Sequence, residues 1–224
     1  MSREYIMHIK SAFDFFVFAT SWQPEECYNE PTYTGCSNPN KIWSSQLTIH
    51  GMWPQFNNGS WPSYCSNEAF DSNIIYNDLD SEIFYEYWPN VRYEIPQEGI
   101  ATKNDYEVYA SFWEHEWTKH GTCSGLDQKT YFITTLQNRP ITPQIISDNY
   151  GKQITKQELL DSYDHLVVPT CKSNYLFEIY LCINSDTYTQ FDCPESVIGE
   201  GNCDDVIMIE TFSQNDIKTL SEYI

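Results

Sequence analysis

In Leu176-Phe177-Glu178-Ile179-Tyr180-Leu181-Cys182-Ile183, the residues Phe177, Ile179, Leu181 and Ile183 alternate with Leu176, Glu178, Tyr180 and Cys182. A period of two over such a β-branched and aromatic run is the signature of a strand. The same β-rich character returns at Val206-Ile207-Met208-Ile209, and Ala12 to Ala19 (AFDFFVFA) reads as a buried strand bounded by a polar turn at Gln23-Pro24-Glu25. Gln46-Leu47-Thr48-Ile49-His50-Gly51 reads as a further strand that stops at the glycine, which would set His50 at a strand's end. The segment 27–42 is rich in Asn, Pro, Thr and Gly and reads as loop.

Between these strands the period shifts toward 3.6. Phe70, Ile74, Ile75, Leu79, Ile83 and Phe84 predict helices over Asn67 to Trp88, broken near Asp78-Asp80. Asp105 to Gly121, Lys129 to Gln137 and Thr155 to Leu166 are the other predicted helices. Helices and strands mix without a regular βαβ repeat, so the expected class is α+β, a central and mostly antiparallel sheet flanked by helices.

The chain has 224 residues, a length that suits a loose leader at 1–11 and one disulfide-stabilised domain at 12–224. Lys+Arg number 12 against Asp+Glu 32, a formal charge of −20. A general nucleic-acid coat carries a basic face, so a nucleic-acid partner here would have to be gripped locally at a site. The longest apolar candidate, Phe13 to Thr20, contains Asp14 and is only strand length, which excludes a membrane span. Met1-Ser2-Arg3-Glu4-Tyr5 is not followed by the apolar stretch of a secretory signal.

Eight cysteines at 27, 36, 65, 123, 171, 182, 193 and 203 form an even set without zinc-ligand spacing. Disulfides are the better reading, and they imply an oxidising compartment, secreted or lysosomal/vacuolar. Eight cysteines allow 105 pairings, and nearness suggests only Cys27 with Cys36. In such a compartment the sequon Asn58-Gly59-Ser60, in a polar turn-like stretch, would accept a glycan at Asn58.

Five histidines stand at 8, 50, 115, 120 and 165, two of them in Phe112-Trp113-Glu114-His115-Glu116-Trp117-Thr118-Lys119-His120-Gly121. On a helix Glu116, Lys119 and His120 share a face, and His115 lies one turn from Lys119. A solvated amphipathic helix with an i,i+4 ion pair is the bland account, but two tryptophans, a flanking Phe112 and a following Gly-Thr-Cys make this helix unlike a plain surface. A zinc helix needs histidines at i and i+4, whereas His115 and His120 are five apart with Lys119 beside them, so no metal or other cofactor is expected. No Gly-x-Ser-x-Gly elbow supports a serine hydrolase. Two imidazoles with a lysine and a glutamate are what phosphodiester transesterification by an RNA 2′-hydroxyl requires: one base, one acid, and groups that hold charge building on phosphorus. His8 and His165 read as structural or solvent-facing.

Leu47-Thr48-Ile49-His50-Gly51-Met52-Trp53-Pro54 and Phe112 to Cys123, in that order, resemble the two active-site segments of the ribonuclease T2 family of secreted and lysosomal acid endoribonucleases. Phe13-Asp14-Phe15-Phe16, Ser21-Trp22-Gln23-Pro24 and Glu178-Ile179-Tyr180-Leu181-Cys182 extend the resemblance along nearly the whole chain. It implies an endoribonuclease that cuts single-stranded RNA to a 2′,3′-cyclic phosphate and then a 3′-phosphate; apart from the resemblance, a monomer without a membrane partner is expected. It implies His120 as the group taking the 2′-OH proton, His50 as the leaving-group acid, Glu116 and Lys119 as transition-state stabilisers, and His115 as a phosphate ligand. Trp53 and Trp61 would stack the base 5′ of the cut, and Phe112, with Ser21 near it, would form the pocket on the 3′ side. Met52 stands where the family usually has Leu, and Gln55 replaces an acidic residue of some relatives. The implied disulfides are Cys27–Cys36, Cys65–Cys123, Cys171–Cys203 and Cys182–Cys193. The acidic charge fits work at low pH, where a protonated His115 binds phosphate better. The competing expectations are a catalytically silent binding or storage protein of this family and a zinc hydrolase.

Overall fold

The computed structural model describes residues 13–139 and 141–212, so the expected leader at 1–11 and the stretch 213–224 of the expected domain lie outside the described residues. In chain order the elements are β1 (Phe15–Ser21), α1 (Gln23–Asn29), β2 (Thr48–Gln55), α2 (Ser81–Tyr87), α3 (Lys103–Lys119), α4 (Gln128–Gln137), α5 (Gln144–Asp148), β3 (Gln153–Thr155), α6 (Lys156–Leu160), β4 (Val168–Lys172), β5 (Tyr175–Asn184), β6 (Gln190–Phe191), α7 (Glu195–Ile198) and β7 (Val206–Met208). The strands form one sheet in the order β2-β1-β5-β7-β3, with β4 and β6 also paired to β5. Every pairing is antiparallel except β5 with β7. The α+β expectation, a mostly antiparallel sheet flanked by helices, holds.

Strand β1 reads as continuously apolar because both its faces are covered. Phe16 and Phe18 join Trp88, Trp113, Trp117 and Phe132 in the main core beneath the helices. Phe15 and Val17 point the other way, into a smaller cluster with Val197 and the Cys182–Cys193 pair. The other disulfides are Cys27–Cys36, Cys65–Cys123 and Cys171–Cys203, the pairing that the resemblance implied, and no cysteine is free.

Helix α3 begins at a reciprocal cap, in which Thr102 accepts from the Asp105 backbone N–H while the Asp105 carboxylate takes the Thr102 N–H. Its buried stripe, Tyr109, Trp113, Glu116 and Trp117, follows helical spacing and faces the sheet. Glu116 therefore belongs to the core-facing stripe, while the i,i+4 surface ion pair that this helix does make, Lys103 with Glu107 at 3.3 Å, lies in its first turns, away from Glu116.

Several local expectations are corrected. The strand expected to end at Gly51 continues to Gln55, and His50 lies inside it. Pro54 is tolerated because β2 is the sheet edge, paired only with β1. The polar turn at Gln23-Pro24-Glu25 is the start of α1, where Pro24 occupies the first turn and Glu26 complements the helix dipole. The expected loop at 27–42 carries short 3₁₀ turns as well. Of Asn67 to Trp88, only a π-helical turn at Ile74–Asp78 and α2 are helical; residues 67–71 are irregular, tied by Asp71 to the Gln128 amide. The helix expected to reach Leu166 stops at Leu160.

Candidate active site

His50 owes its direction to a β-bulge. Ala19 pairs with Gly51 and Thr20 with Ile49, so His50 is the extra residue on β2. A bulge re-aims the side chain it carries. The ring turns across β1 toward β5, where its Nδ1 meets Glu178 Oε1 at 2.5 Å. Its Nε2 lies 3.7 Å from Glu116 Oε1. Trp88 donates to the His50 carbonyl at 2.8 Å and fixes the backbone beneath the ring.

The last turn of α3 and its cap supply the other groups. His120 closes the helix, its N–H donating to the Glu116 carbonyl at 3.1 Å, which puts its ring over the same cleft as Glu116. Cys65–Cys123 fastens the loop after β2 to this end, and Tyr64 donates its N–H to the Lys119 carbonyl at 3.0 Å. Gly51 permits the close approach: a Cβ there would fall on the Glu116 carboxylate and the Trp53 indole nitrogen.

His50, His115, Glu116, Lys119 and His120 line one cleft of about 200 Å³ together with Trp53, Gln55, Trp61 and Glu200. A second pocket of about 130 Å³ opens on the other side of His50, lined by Ser21, Phe112, Asn90, Arg92 and Glu178 among others. Each residue expected in the catalytic set or the base pockets thus falls in one of two pockets that meet at His50. Trp61 is exposed, while Trp53 is half-buried with its ring stacked on His120 at 5.1 Å. Ser21 lines the second pocket, but its hydroxyl points at Glu178 Oε1, 3.5 Å away. The exposed Asn58 turns its side-chain oxygen to the Ser60 N–H and hydroxyl. Of the remaining histidines, His165 pairs with Asp192 at the surface, and His8 lies outside the described residues.

The environments push these groups apart. Burial opposes charge on His50, but the Glu178 carboxylate overrides it and raises His50 to about 9. Burial, then Lys119 and His115, lower His120 to about 3. Burial lifts Glu116 to about 7 against the pull of His50 and of the Trp53 N–H. His115 is lowered by burial and by Lys119. Such divergence marks an acid and a base in one site.

His115, Glu116 and His120 bring ligand atoms within 4.8 Å of one another, a donor set open to a transition metal although the sequence spacing spoke against one. Lys119 lines the same cleft and sets a cation beside those donors. The sequence reading missed Glu178 as a site residue. The available signal was a lone carboxylate inside the apolar run 176–183.

The model of the ribonuclease T2 family matches residues 13–193. "Intracellular ribonuclease LX" of Solanum lycopersicum is 31% identical over 222 residues, 91% of this chain and 86% of that one. "Ribonuclease 1" of Arabidopsis thaliana is 30% identical over 220 residues, 89% of this chain and 87% of that one. Among solved structures, an RNase-related protein from Calystegia sepium superposes with a TM-score of 0.66 at 26% identity, covering 90% of this chain and 98% of that one.

Proposed function

The chain belongs to the ribonuclease T2 family, and from that premise we propose that it is an endoribonuclease that cleaves single-stranded RNA without a metal, giving a 2′,3′-cyclic phosphate and then a 3′-phosphate. The observation that carries this reading is the pair His50 and His120, one raised and one lowered, facing a single cleft with Glu116 and Lys119 between them.

In the first step the neutral His120 takes the 2′-OH proton as O2′ bonds to phosphorus. The bond from phosphorus to O5′ breaks, and the leaving O5′ takes the proton from Nε2 of His50. In the second step water attacks the cyclic phosphate with the two imidazoles in exchanged roles. Each such group contributes about 10²–10⁴-fold. The Lys119 ammonium and a protonated Glu116 face the charge that builds on the phosphoryl oxygens, and a protonated His115 holds the phosphate on the cleft wall. Bases on either side of the cut go to the two pockets, Trp53 and Trp61 on the 5′ side, Phe112 and Ser21 on the 3′ side; stacking contributes roughly 1–3 kcal/mol per base. Four disulfides support residence in an oxidising compartment, secreted or lysosomal/vacuolar, with Asn58 as glycan acceptor and the enzyme acting as a monomer.

The test is cleavage of a short RNA with and without EDTA at about pH 5 by wild type, His50→Ala and His120→Ala, with mass analysis of the ends. A cyclic phosphate from wild type and a loss on the order of 10²–10⁴-fold in each variant is expected. A folded wild type that leaves RNA intact returns the binding or storage reading, and abolition by EDTA returns the metal-dependent one.

A further inference from the structure

Glu178 reaches His50 across a whole strand. It sits on β5, His50 on β2, and β1 runs between them with Ser21 paired to Glu178 on one side and to Thr48 on the other. The contact exists because the bulge swings His50 over β1 and because the residue beneath, Ser21, is small enough to be crossed. Glu178 is only 5% exposed. Both its oxygens are engaged: Oε1 by His50 Nδ1, Oε2 by the Tyr180 hydroxyl at 2.9 Å. A buried carboxylate is costly unless a cation faces it, and the cation in contact is His50.

We propose that Glu178 is a positioning residue for the leaving-group proton, holding the His50 ring by its Nδ1–H so that Nε2 is turned to the cleft. The inference rests on the ribonuclease reading above and adds to it the group that orients the acid. A hydrogen bond at one ring nitrogen fixes the tautomer and frees the other nitrogen for chemistry. Here Nε2 is left facing Glu116 and the cleft. Removing Glu178 would free the ring to turn and would lower the pH up to which the imidazole keeps its proton.

The other charged groups around His50 do not supply this role. From α1, Glu26 is held by Lys172 of β4 at 2.9 Å. From α3, Glu116 is pushed up by burial to about 7 and so carries a proton at acid pH, while Lys119 and His115 are basic groups of the same cleft. His120 and Arg92, lining the two pockets beside His50, are basic as well. Glu178 is held below the usual carboxylate range: burial would raise it, but His50 and the Tyr180 hydroxyl win. It is the anion in direct contact with the ring across the working range.

The experiment follows the His50 imidazole by NMR titration, together with pH–rate profiles, in wild type, Glu178→Gln and Glu178→Asp. In Glu178→Gln the His50 midpoint falls by about 1–3 pH units and the alkaline limb of kcat moves down with it. At neutral pH kcat drops by part of the 10²–10⁴-fold that a general acid contributes, while KM stays nearly unchanged. Glu178→Asp keeps the charge and gives an intermediate midpoint; it also gives the same readout should the glutamine variant fail to fold. On a His50→Ala background, Glu178→Gln costs nothing further. An unmoved His50 midpoint in both variants, or an additive loss on that background, overturns the proposal. Absence of RNA cleavage by wild type sinks the ribonuclease reading instead, and the His50 titration still decides whether Glu178 holds the ring.

Discussion

Trp53 donates its indole N–H to Glu116 Oε2 at 2.8 Å, and this leaves the other carboxylate oxygen, Oε1, buried without a hydrogen-bond partner 3.7 Å from His50 Nε2. An orphaned buried oxygen at such a place is costly, and it is satisfied when a phosphoryl oxygen enters beside a protonated Glu116. Trp53→Phe keeps the ring against His120 and removes only the donor. A hydrogen bond to a neutral carboxyl contributes about 0.5–1.5 kcal/mol, so kcat should fall roughly 2- to 10-fold with the fold intact. Steady-state kinetics on a dinucleotide checks this; an unchanged kcat would show that Glu116 is held without Trp53.

Gly51→Ala tests the same contact from the backbone side. The added methyl would fall on the Glu116 carboxylate and the Trp53 nitrogen, so something must shift. Overpacking of this kind costs about 1–3 kcal/mol, and here the displaced groups are those of the site. Urea denaturation and turnover should both decline, turnover more. A variant with full activity would mean that the carboxylate can move without consequence.

Much of this was readable in the chain, for a physical reason. Helix α3 lies within two residues at each end of where the sequence places it, so the placing of His115, Glu116 and Lys119 needs only helical spacing. The Glu178–His50 contact needs the strand order β2-β1-β5 and a bulge, neither of which is a local property of either segment. Gly51 reads locally as a strand end; the strand runs on through Pro54 because the sheet edge tolerates a proline, and the close approach of the Glu116 carboxylate demands the glycine. The apolar spacing over Asn67 to Trp88 was overruled in its first part by tertiary ties to Gln128 and the Cys65–Cys123 bridge.

The rate should peak on the acid side of neutrality. His115 lies below the ordinary histidine value, so the cation proposed to hold phosphate forms only as pH drops through and below that range. Glu116 gains its proton below about 7 and then has a donor to offer. His120 remains an available base until pH nears about 3, and His50 remains an acid up to about 9, so these two set the outer limits. A kcat/KM profile with its maximum above neutrality would contradict this ordering.

Cutting the Cys65–Cys123 bridge should affect stability and chemistry together. It closes a sequence separation of 58 residues and anchors the segment carrying Trp61 and Tyr64 to the end of α3. Cys65→Ser with Cys123→Ser should cost about 2–5 kcal/mol in denaturant unfolding. Because Tyr64 donates to the Lys119 carbonyl, KM for RNA should rise as well. Equal loss of stability with unaltered KM would confine the bridge to the fold.

Glu25 offers a test of the acid side of stability. Its side chain is 2% exposed, Oε1 accepts from Asn29 at 2.7 Å, and Oε2 is buried without a partner. Burial raises it from its ordinary 4.5 to about 7, with Asn29 opposing and Glu210 assisting. Below about 4.5 both folded and unfolded chains hold the proton and the group is harmless. As pH climbs toward 7 the unfolded chain ionises first, so folding stability is lost across that window and the deficit is constant above it. Glu25→Gln should therefore leave Tm unchanged near about pH 4 and raise it near about pH 7.5, by an amount on the order of 1–3 kcal/mol, roughly 2–4 °C for each. Calorimetric scans across this range decide it, since the same Tm difference at both ends would mean that the Glu25 carboxyl ionises alike in the folded and unfolded chains.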